Sequence, residues 1–234
     1  MGAAVRIRPV PERADARVAR MTESSHLDRT RAFYDALAVD YAAMFKEELA
    51  AKPFLRAMLG AFAELVLAGG GGRVADVGCG PGRSTAHLHG LGLDVFGLDL
   101  SPEMIAVARA ENPGLRYEVG SMTELDLADG SLAGVVAMYS LIHTPLERLP
   151  SVFAEFHRVL APRGQLLLAF QVGDDVRLLE RPFGRPVSLG FQRLRPEQIA
   201  ELLGEAGFEV RARFLREPDD DEKSPHAHLL ARRA

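Results

Sequence analysis

The apolar positions divide the chain in two at Gly69. From residue 28 to 68 they recur at helical spacing, with breaks expected at 39–40 and at Pro53. In the last of these segments Phe54, Leu55, Met58, Leu59, Phe62, Leu65 and Val66 build one apolar helix face. Glycines at 69–72 then stop the helix. Beyond Arg73 the period changes. Short apolar runs at 73–77, 94–99, 115–119, 134–139 and 165–170 alternate with helical segments, and several are apolar almost throughout, as strands buried on both faces are. The helices between them carry their own punctuation. Ser101 and Pro102 supply an N-cap and a first-turn proline, and Pro162 and Gly164 close the face traced by Val152, Phe153, Phe156, Val159 and Leu160.

Strand and helix alternating at this spacing predict right-handed crossovers and a mostly parallel sheet with helices on both faces, a doubly wound α/β domain. A last helix is expected over 196–206, with Ile199, Leu202, Leu203 and Ala206 inward and Gly207 at its end. Two further strand-like runs, 208–214 and 226–232, are joined by a short acidic connection, which favours an antiparallel hairpin. The expected organisation is a disordered Arg-containing tail over 1–20, a helical cap over 21–70, and the α/β domain over 71–234. Residues 172–194 lie between the fifth strand and the last helix. Met21 is a candidate start in place of Met1.

Composition narrows the classes. The chain has 234 residues, 47% hydrophobic and 26% charged, as one globular domain does. Its 28 Lys+Arg against 32 Asp+Glu give a net charge of -4, which supplies no global field for gathering nucleic acid. No window approaches the roughly 20 apolar residues of a membrane helix. Cys79 is alone, so neither an internal disulfide nor a Cys-based zinc cluster is expected, and the reading is a reducing, cytoplasmic setting. The acidic run 219–222 reads as a solvated loop, since it lacks the glycine and distal glutamate of a calcium loop. His226 and His228 share a strand face but meet no third metal ligand in the sequence; no metal is expected.

The segment VADVGCGPGR, residues 74–83, carries the chemistry, because ligands of open α/β sheets bind at the carboxyl edge where such a glycine-rich turn enters a helix. Its glycines stand at 78, 80 and 82, whereas a dinucleotide fingerprint needs its third glycine at 83, where this chain has Arg. A phosphate loop of the G-K-[ST] kind is absent. Asp99 closes the second run about 20 residues on, where a carboxylate accepts both hydroxyls of a ribose. Asp76 adds a second carboxylate beside the loop. Two carboxylates suit a zwitterionic or cationic ligand better than a pyrophosphate.

With VADVGCGPGRST, VFGLDLSPEMI, GSMTELDLADGSLAGVVAMYSLIHTP and EFHRVLAPRGQLLLAF, the sequence resembles the class I S-adenosylmethionine-dependent methyltransferases over roughly 95 contiguous residues. It is most similar to their small-molecule branch, which includes the ubiquinone and menaquinone biosynthesis type. The resemblance implies a seven-stranded sheet of order 3-2-1-4-5-7-6 ending in an antiparallel hairpin. It implies S-adenosyl-L-methionine as methyl donor and S-adenosyl-L-homocysteine as product. Gly78, Cys79, Gly80 and Gly82 would approach the methionine portion, with Asp76 near its ammonium. Asp99, with Leu100 beside it, would hold the ribose, and Met104, Ser121 and Met122 would flank the adenine. Tyr139, at the end of the fourth strand, would lie beside the cofactor. Residues 172–194 fall where this family carries substrate-binding insertions. Ser121 and Gly134 depart from the family pattern, which often has acidic residues at both.

His143 follows the fourth strand and titrates near physiological pH, so it is either a base for a hydroxyl, phenol or amine acceptor or a wall of the pocket. Transfer from a sulfonium is an in-line displacement for which positioning and desolvation suffice. Tyr34 and Tyr41 either cover the site or belong to the core; for Tyr41 the core is the preferred reading. In the insertion, Arg181 and Arg185 beside Phe183 form either a clamp for an acidic, aromatic substrate or a solvated pair. The expected function is methyl transfer to O, N or C of a small molecule, with no nucleic-acid or membrane partner. A non-methylating S-adenosylmethionine-binding protein and, more remotely, a nicotinamide-dependent oxidoreductase are the alternatives. Oligomeric state is not legible.

Overall fold

The computed structural model describes residues 16–220 and 222–234. The helical half consists of α1 (Ala16–Met44), α2 (Glu48–Ala51) and α3 (Pro53–Ala68). The sheet half follows as β1 (Arg73–Val77), α4 (Arg83–Gly90), β2 (Asp94–Asp99), α5 (Pro102–Glu111), β3 (Arg116–Val119), β4 (Leu132–Met138), α6 (Leu149–Val159) and β5 (Leu160–Gln171). It closes with β6 (Val176–Glu180), β7 (Ser188–Gln192), α7 (Pro196–Glu205), β8 (Phe208–Arg216) and β9 (His226–Arg233).

Seven strands form one sheet in the order β3-β2-β1-β4-β5-β9-β8, parallel except for β9, which runs antiparallel to both β5 and β8. This is the expected order once β6 and β7 are set aside as a separate two-stranded ribbon. That ribbon was not anticipated. It occupies the insertion 172–194, where exposed Val176 and Leu178 and a run of arginines hide the strand alternation. One face of the sheet is filled by a cluster that includes Phe153, Phe156, Phe170, Ile199 and Leu203, and the other by Leu59, Phe62, Val66 and Leu88. Each fully buried Phe removes enough apolar surface to contribute about 1.5–3 kcal/mol.

The helical half departs from expectation in three ways. α1 passes straight through 39–40, because Phe33 and Leu37 on one side and Tyr41 on the next turn pack against Leu189 and Phe191 of the ribbon. That burial overrides the weak helix propensity of Val39 and Asp40. Residues 16–20 belong to α1 and not to a tail, while the rest of the expected tail lies outside the described residues. α3 buries a narrower stripe than predicted, Leu59, Phe62, Ala63 and Val66, and leaves Phe54 and Leu65 exposed. No helix among the described residues is long and apolar enough to cross a membrane.

The acidic connection is not merely solvated. Lys52 bridges Asp219 at 2.6 Å and Glu222 at 3.1 Å, and Arg216 grips Glu222 through both terminal nitrogens, so the hairpin is tied to the start of α3. Burial opposes the charge on Glu222, yet Arg216, the Asp219 amide and Lys52 prevail and hold its carboxyl down at about 2.

Two positions constrain the sheet centre. Gly134 lies on β4 against α3, where a Cβ would come within 2.6 Å of Phe62 Cζ and 3.1 Å of Val66 Cγ2. The absence of an acidic residue here is therefore a packing requirement of α3. Asp76, on the central strand, is 1% exposed and accepts a 2.7 Å hydrogen bond from Thr85 Oγ1 of α4. Burial raises its carboxyl to about 7, with the Thr85 hydrogen bond opposing and Asp99 adding.

Both generate predictions. Gly134→Ala is expected to cost about 1–3 kcal/mol through overpacking, read as the shift of the urea midpoint; a loss under about 0.5 kcal/mol would show that Phe62 swings aside freely. Folded Asp76 keeps its proton to about 7, whereas the unfolded carboxyl loses it near 3.8. Between those values the folded state binds more protons, so stability falls as pH rises from 4 to 7. Asp76→Asn is expected to flatten that fall in urea melts taken across the window.

Candidate functional site

A cavity of about 330 Å³ opens at the carboxyl ends of β1, β2 and β4 and is roofed by α1. The glycine turn shapes its floor. Gly78 (φ 74) approaches Ser140 so closely that any Cβ would overlap the serine side chain, while Gly80 (φ 54) has open space where a Cβ would stand. The first glycine serves close packing between the ends of β1 and β4; the second leaves the backbone bare toward the cavity.

Asp99 ends β2 and accepts the Gly80 amide on Oδ2 at 2.8 Å and the Ser101 amide on Oδ1 at 2.9 Å. Burial raises its carboxyl, with the two amides opposing. A carboxylate has about four lone-pair positions, so both oxygens retain capacity for ligand hydroxyls. Ser101 caps α5 by accepting the Met104 amide at 3.1 Å and donates to Asp35 of α1 at 2.5 Å. Leu100, Met104, Ser121, Met122 and Tyr139 line the same cavity.

Tyr34 and His143 line it as well, whereas Asp76, Cys79, Gly82, Arg181 and Arg185 fall outside the lining. Asp76 sits behind the turn with Thr85, Cys79 packs beneath it with Ile105, Ala108 and Tyr117, and Gly82 abuts the Tyr117 ring. Arg185 turns outward to Asp40 of α1 at 3.1 Å, and neither it nor Arg181 reaches the cavity. The expected clamp does not form in this arrangement; the ribbon contributes Phe191, whose ring stacks edge-on with His143 at 4.7 Å.

His143 ends a single 3-10 turn, Leu141–His143, and is 8% exposed. Burial pushes its imidazole down to about 3, with the Gly190 backbone opposing and His26 adding. Tyr34 is pushed the other way by burial, by Tyr41 and by Asp99. The phenol therefore keeps its proton, and its hydroxyl shares a 2.6 Å hydrogen bond with His143 Nε2. His26 Nε2 donates to the His143 carbonyl from α1. Also on the wall, Tyr139, in the left-handed region at φ 54, shares a 2.8 Å hydrogen bond with His226 Nδ1; burial lowers that imidazole and raises the phenol.

Several lining residues were not anticipated. Tyr41, expected in the core, stands on the cavity wall, edge-on to Tyr34 at 5.9 Å, and Arg83 lies 5.7 Å over its ring. Arg83 also donates to the Phe45 carbonyl and pairs with Glu48 at 3.3 Å, so the residue that breaks the dinucleotide spacing anchors the end of the roof. His26, Arg29, Thr30 and Arg31 of α1 and Ser140, Thr144 and Arg148 also line the cavity. For the α1 residues the only signal in the sequence is position, a helix that must cover an open sheet edge, whereas Ser140 and Thr144 belong to the run after the fourth strand that is expected beside the transferred methyl. Among the described residues no group of three His, Cys, Asp or Glu is placed to hold a metal.

Residues 74–164 match the family model described as a methyltransferase domain. An O-methyltransferase of Penicillium expansum is 30% identical over 154 residues, covering 60% of this chain and 53% of that protein. A demethylmenaquinone methyltransferase of Beutenbergia cavernae is 36% identical over 101 residues, 42% of this chain and 40% of that one. The chain thus spans about half the length of these relatives, or less. Magnesium protoporphyrin IX methyltransferase from Synechocystis superposes with a TM-score of 0.66 at 18% identity, over 89% of this chain and 97% of that one, which shows a common fold. The matched segment is the glycine turn, both carboxylate-bearing strand ends and β4 with its helix, so the part of the chain that resembles a methyltransferase domain is the part that builds the floor of the cavity.

Proposed function

We propose that the protein transfers a methyl group from S-adenosylmethionine to a small-molecule acceptor in the cytoplasm. The observation that carries this reading is Asp99, whose carboxylate is held by the Gly80 and Ser101 amides at the edge of a cavity the bare Gly80 backbone also faces. A ribose placed there meets acceptors for both hydroxyls, and an adenine extends toward Met104, Ser121 and Met122. The donor's sulfonium carries an already activated methyl, so this chain has to position, desolvate and exclude water. The roof helix α1 performs the exclusion. Tyr34, Tyr41 and Tyr139 offer aromatic surface to a cation within the same walls.

His143 acts in this reading as a positioning residue. Its Nε2 shares a hydrogen bond with Tyr34 and burial favours its neutral ring, which supports a positioning role over that of the base its place in the sequence invites.

Two outcomes follow. Asp99→Ala is expected to weaken S-adenosylhomocysteine binding at least about 100-fold, as loss of two charge-assisted hydrogen bonds does, with circular dichroism unchanged. Unaltered affinity in calorimetry would sink the ribose assignment. His143→Gln, which keeps an acceptor for Tyr34, is expected to hold turnover within about tenfold and leave the pH–rate profile unmoved, since a base contributes about 100-fold or more. Disappearance of an acid limb near neutrality in that variant would restore His143 as the base.

A further inference from the structure

The roof helix brings a second imidazole to the cavity. His26 lines it from α1, and the ring's Nε2 meets the His143 carbonyl. A carbonyl oxygen only accepts, so Nε2 carries the hydrogen and Nδ1 of the neutral ring holds the lone pair. The imidazolium keeps the same Nε2 hydrogen, so the anchor to His143 survives when Nδ1 gains a proton. His26 is half-buried, which leaves that proton a way to solvent.

His26, Thr30 and Tyr34 stand four residues apart and so share one face of α1, and all three line the cavity. The outer two hold His143, His26 at its carbonyl and Tyr34 at its Nε2. Thr30 between them is 8% exposed, yet its Oγ1 finds no hydrogen-bond partner. Buried hydroxyls are ordinarily paired, so an orphaned one beside a cavity points to a ligand atom that completes it.

Other groups of the lining take a proton less readily. His143 Nδ1 has no hydrogen-bond partner, but burial pushes that ring down to about 3, so a proton placed there is poorly held. Asp99 is committed to two amides, and Glu147 is exposed at the rim. Arg29 and Arg148 are the remaining charged neighbours of His26 along this wall, and both are engaged with partners of their own.

Resting on the methyl-transfer reading, we infer that the acceptor is a neutral hydroxyl, a phenol in the simplest case, and that His26 Nδ1 is the base that takes its proton. A hydroxyl oxygen has two lone pairs, one to accept from Thr30 Oγ1 and one to attack; a neutral amine has a single pair, which the methyl consumes. The oxygen bonds to the methyl carbon as the carbon–sulfur bond breaks, and that bond's electron pair stays on sulfur. The hydroxyl proton passes to Nδ1. Phenol, sulfonium and neutral imidazole become aryl methyl ether, thioether and imidazolium, and the imidazolium returns its proton to solvent.

The test begins with calorimetry on the protein saturated with S-adenosylhomocysteine, using phenol against anisole and p-cresol against p-methylanisole as probes. At about pH 8 each phenol is expected to bind at least about threefold tighter than its ether, the size of one hydrogen bond. By about pH 5 the preference is expected to vanish, because the imidazolium no longer accepts. His26→Phe is expected to erase it at both pH values, with S-adenosylhomocysteine affinity held. Thr30→Val is expected to weaken phenol and ether alike, since both oxygens accept, and to leave the preference. With S-adenosylmethionine as donor, methyl transfer to p-cresol is expected to climb between about pH 6 and 8, and His26→Gln to lose that climb and about 100-fold or more in rate.

Equal binding within both pairs, a preference unchanged at low pH, binding of neither phenol, or a bound phenol that takes no methyl overturns the inference and leaves the cofactor assignment standing. A climb lost in His143→Gln and kept in His26→Gln moves the base to His143 Nδ1 and overturns it as well. Failure of S-adenosylhomocysteine itself to bind overturns the methyl-transfer reading instead.

Discussion

The carboxylate of Asp99 is the joint on which the site depends. Its two oxygens receive backbone amides from two different connections, Gly80 after β1 and Ser101 after β2. Charge-assisted hydrogen bonds of this kind are about twice as strong as neutral ones, and these are largely removed from solvent. They fix the glycine turn against the cap of α5. Ser101 then passes the constraint on, since its hydroxyl both caps α5 and donates to Asp35 on the roof. Strand edge, glycine turn, adenine-side helix and cover helix are thus registered through one side chain.

Around that joint, burial decides protonation. The three phenols of the wall keep their protons, His143 stays neutral, and Asp76 behind the turn holds a proton to about 7. For Tyr34, Tyr41 and His143 this follows from the closure of α1 and the β6–β7 ribbon over the sheet edge, where Phe33, Leu37, Leu189 and Phe191 meet, whereas Asp76 is buried against Thr85 of α4 and Tyr139 against the histidines of β9. Polar ties from roof to site, such as Arg31 to the Leu100 carbonyl and Arg83 to Glu48, are partly exposed and contribute little each. Apolar packing closes the roof, and the polar contacts set its register.

This division explains what was legible in the sequence. The sheet was, because strands buried on both faces leave continuous apolar runs, and Gly78, Gly80 and Asp99 could be placed on its edge from spacing, while Met104 came from the family resemblance. The ribbon was not: Val176, Leu178 and several arginines face outward, so its alternation is drowned by solvent-side residues. Tyr41 and Thr30 were equally hidden, since a helix that covers a cavity has the same apolar periodicity as one that covers a core. For His143 the sequence showed the residue and its neighbourhood but neither its burial nor Tyr34 bonded to Nε2, the two features that bear on which chemistry an imidazole can perform. The arginines of the insertion look like a clamp in one dimension, whereas in three Arg185 serves Asp40 on the outer face.

Tyr139 shows where the fold stores strain. A non-glycine residue in the left-handed region costs roughly 1–2 kcal/mol, and it persists only when its surroundings hold it there. The hydrogen bond to His226 does so from β9, and the Ala169 carbonyl accepts the Tyr139 amide at 2.8 Å from β5. His226 in turn lies 3.7 Å from Glu222, the carboxylate that Lys52 and Arg216 grip at the hairpin. The distorted strand end that walls the cavity is therefore braced by the antiparallel pair β8–β9 outside the matched segment, which gives the C-terminal hairpin a part in shaping the site as well as in completing the sheet.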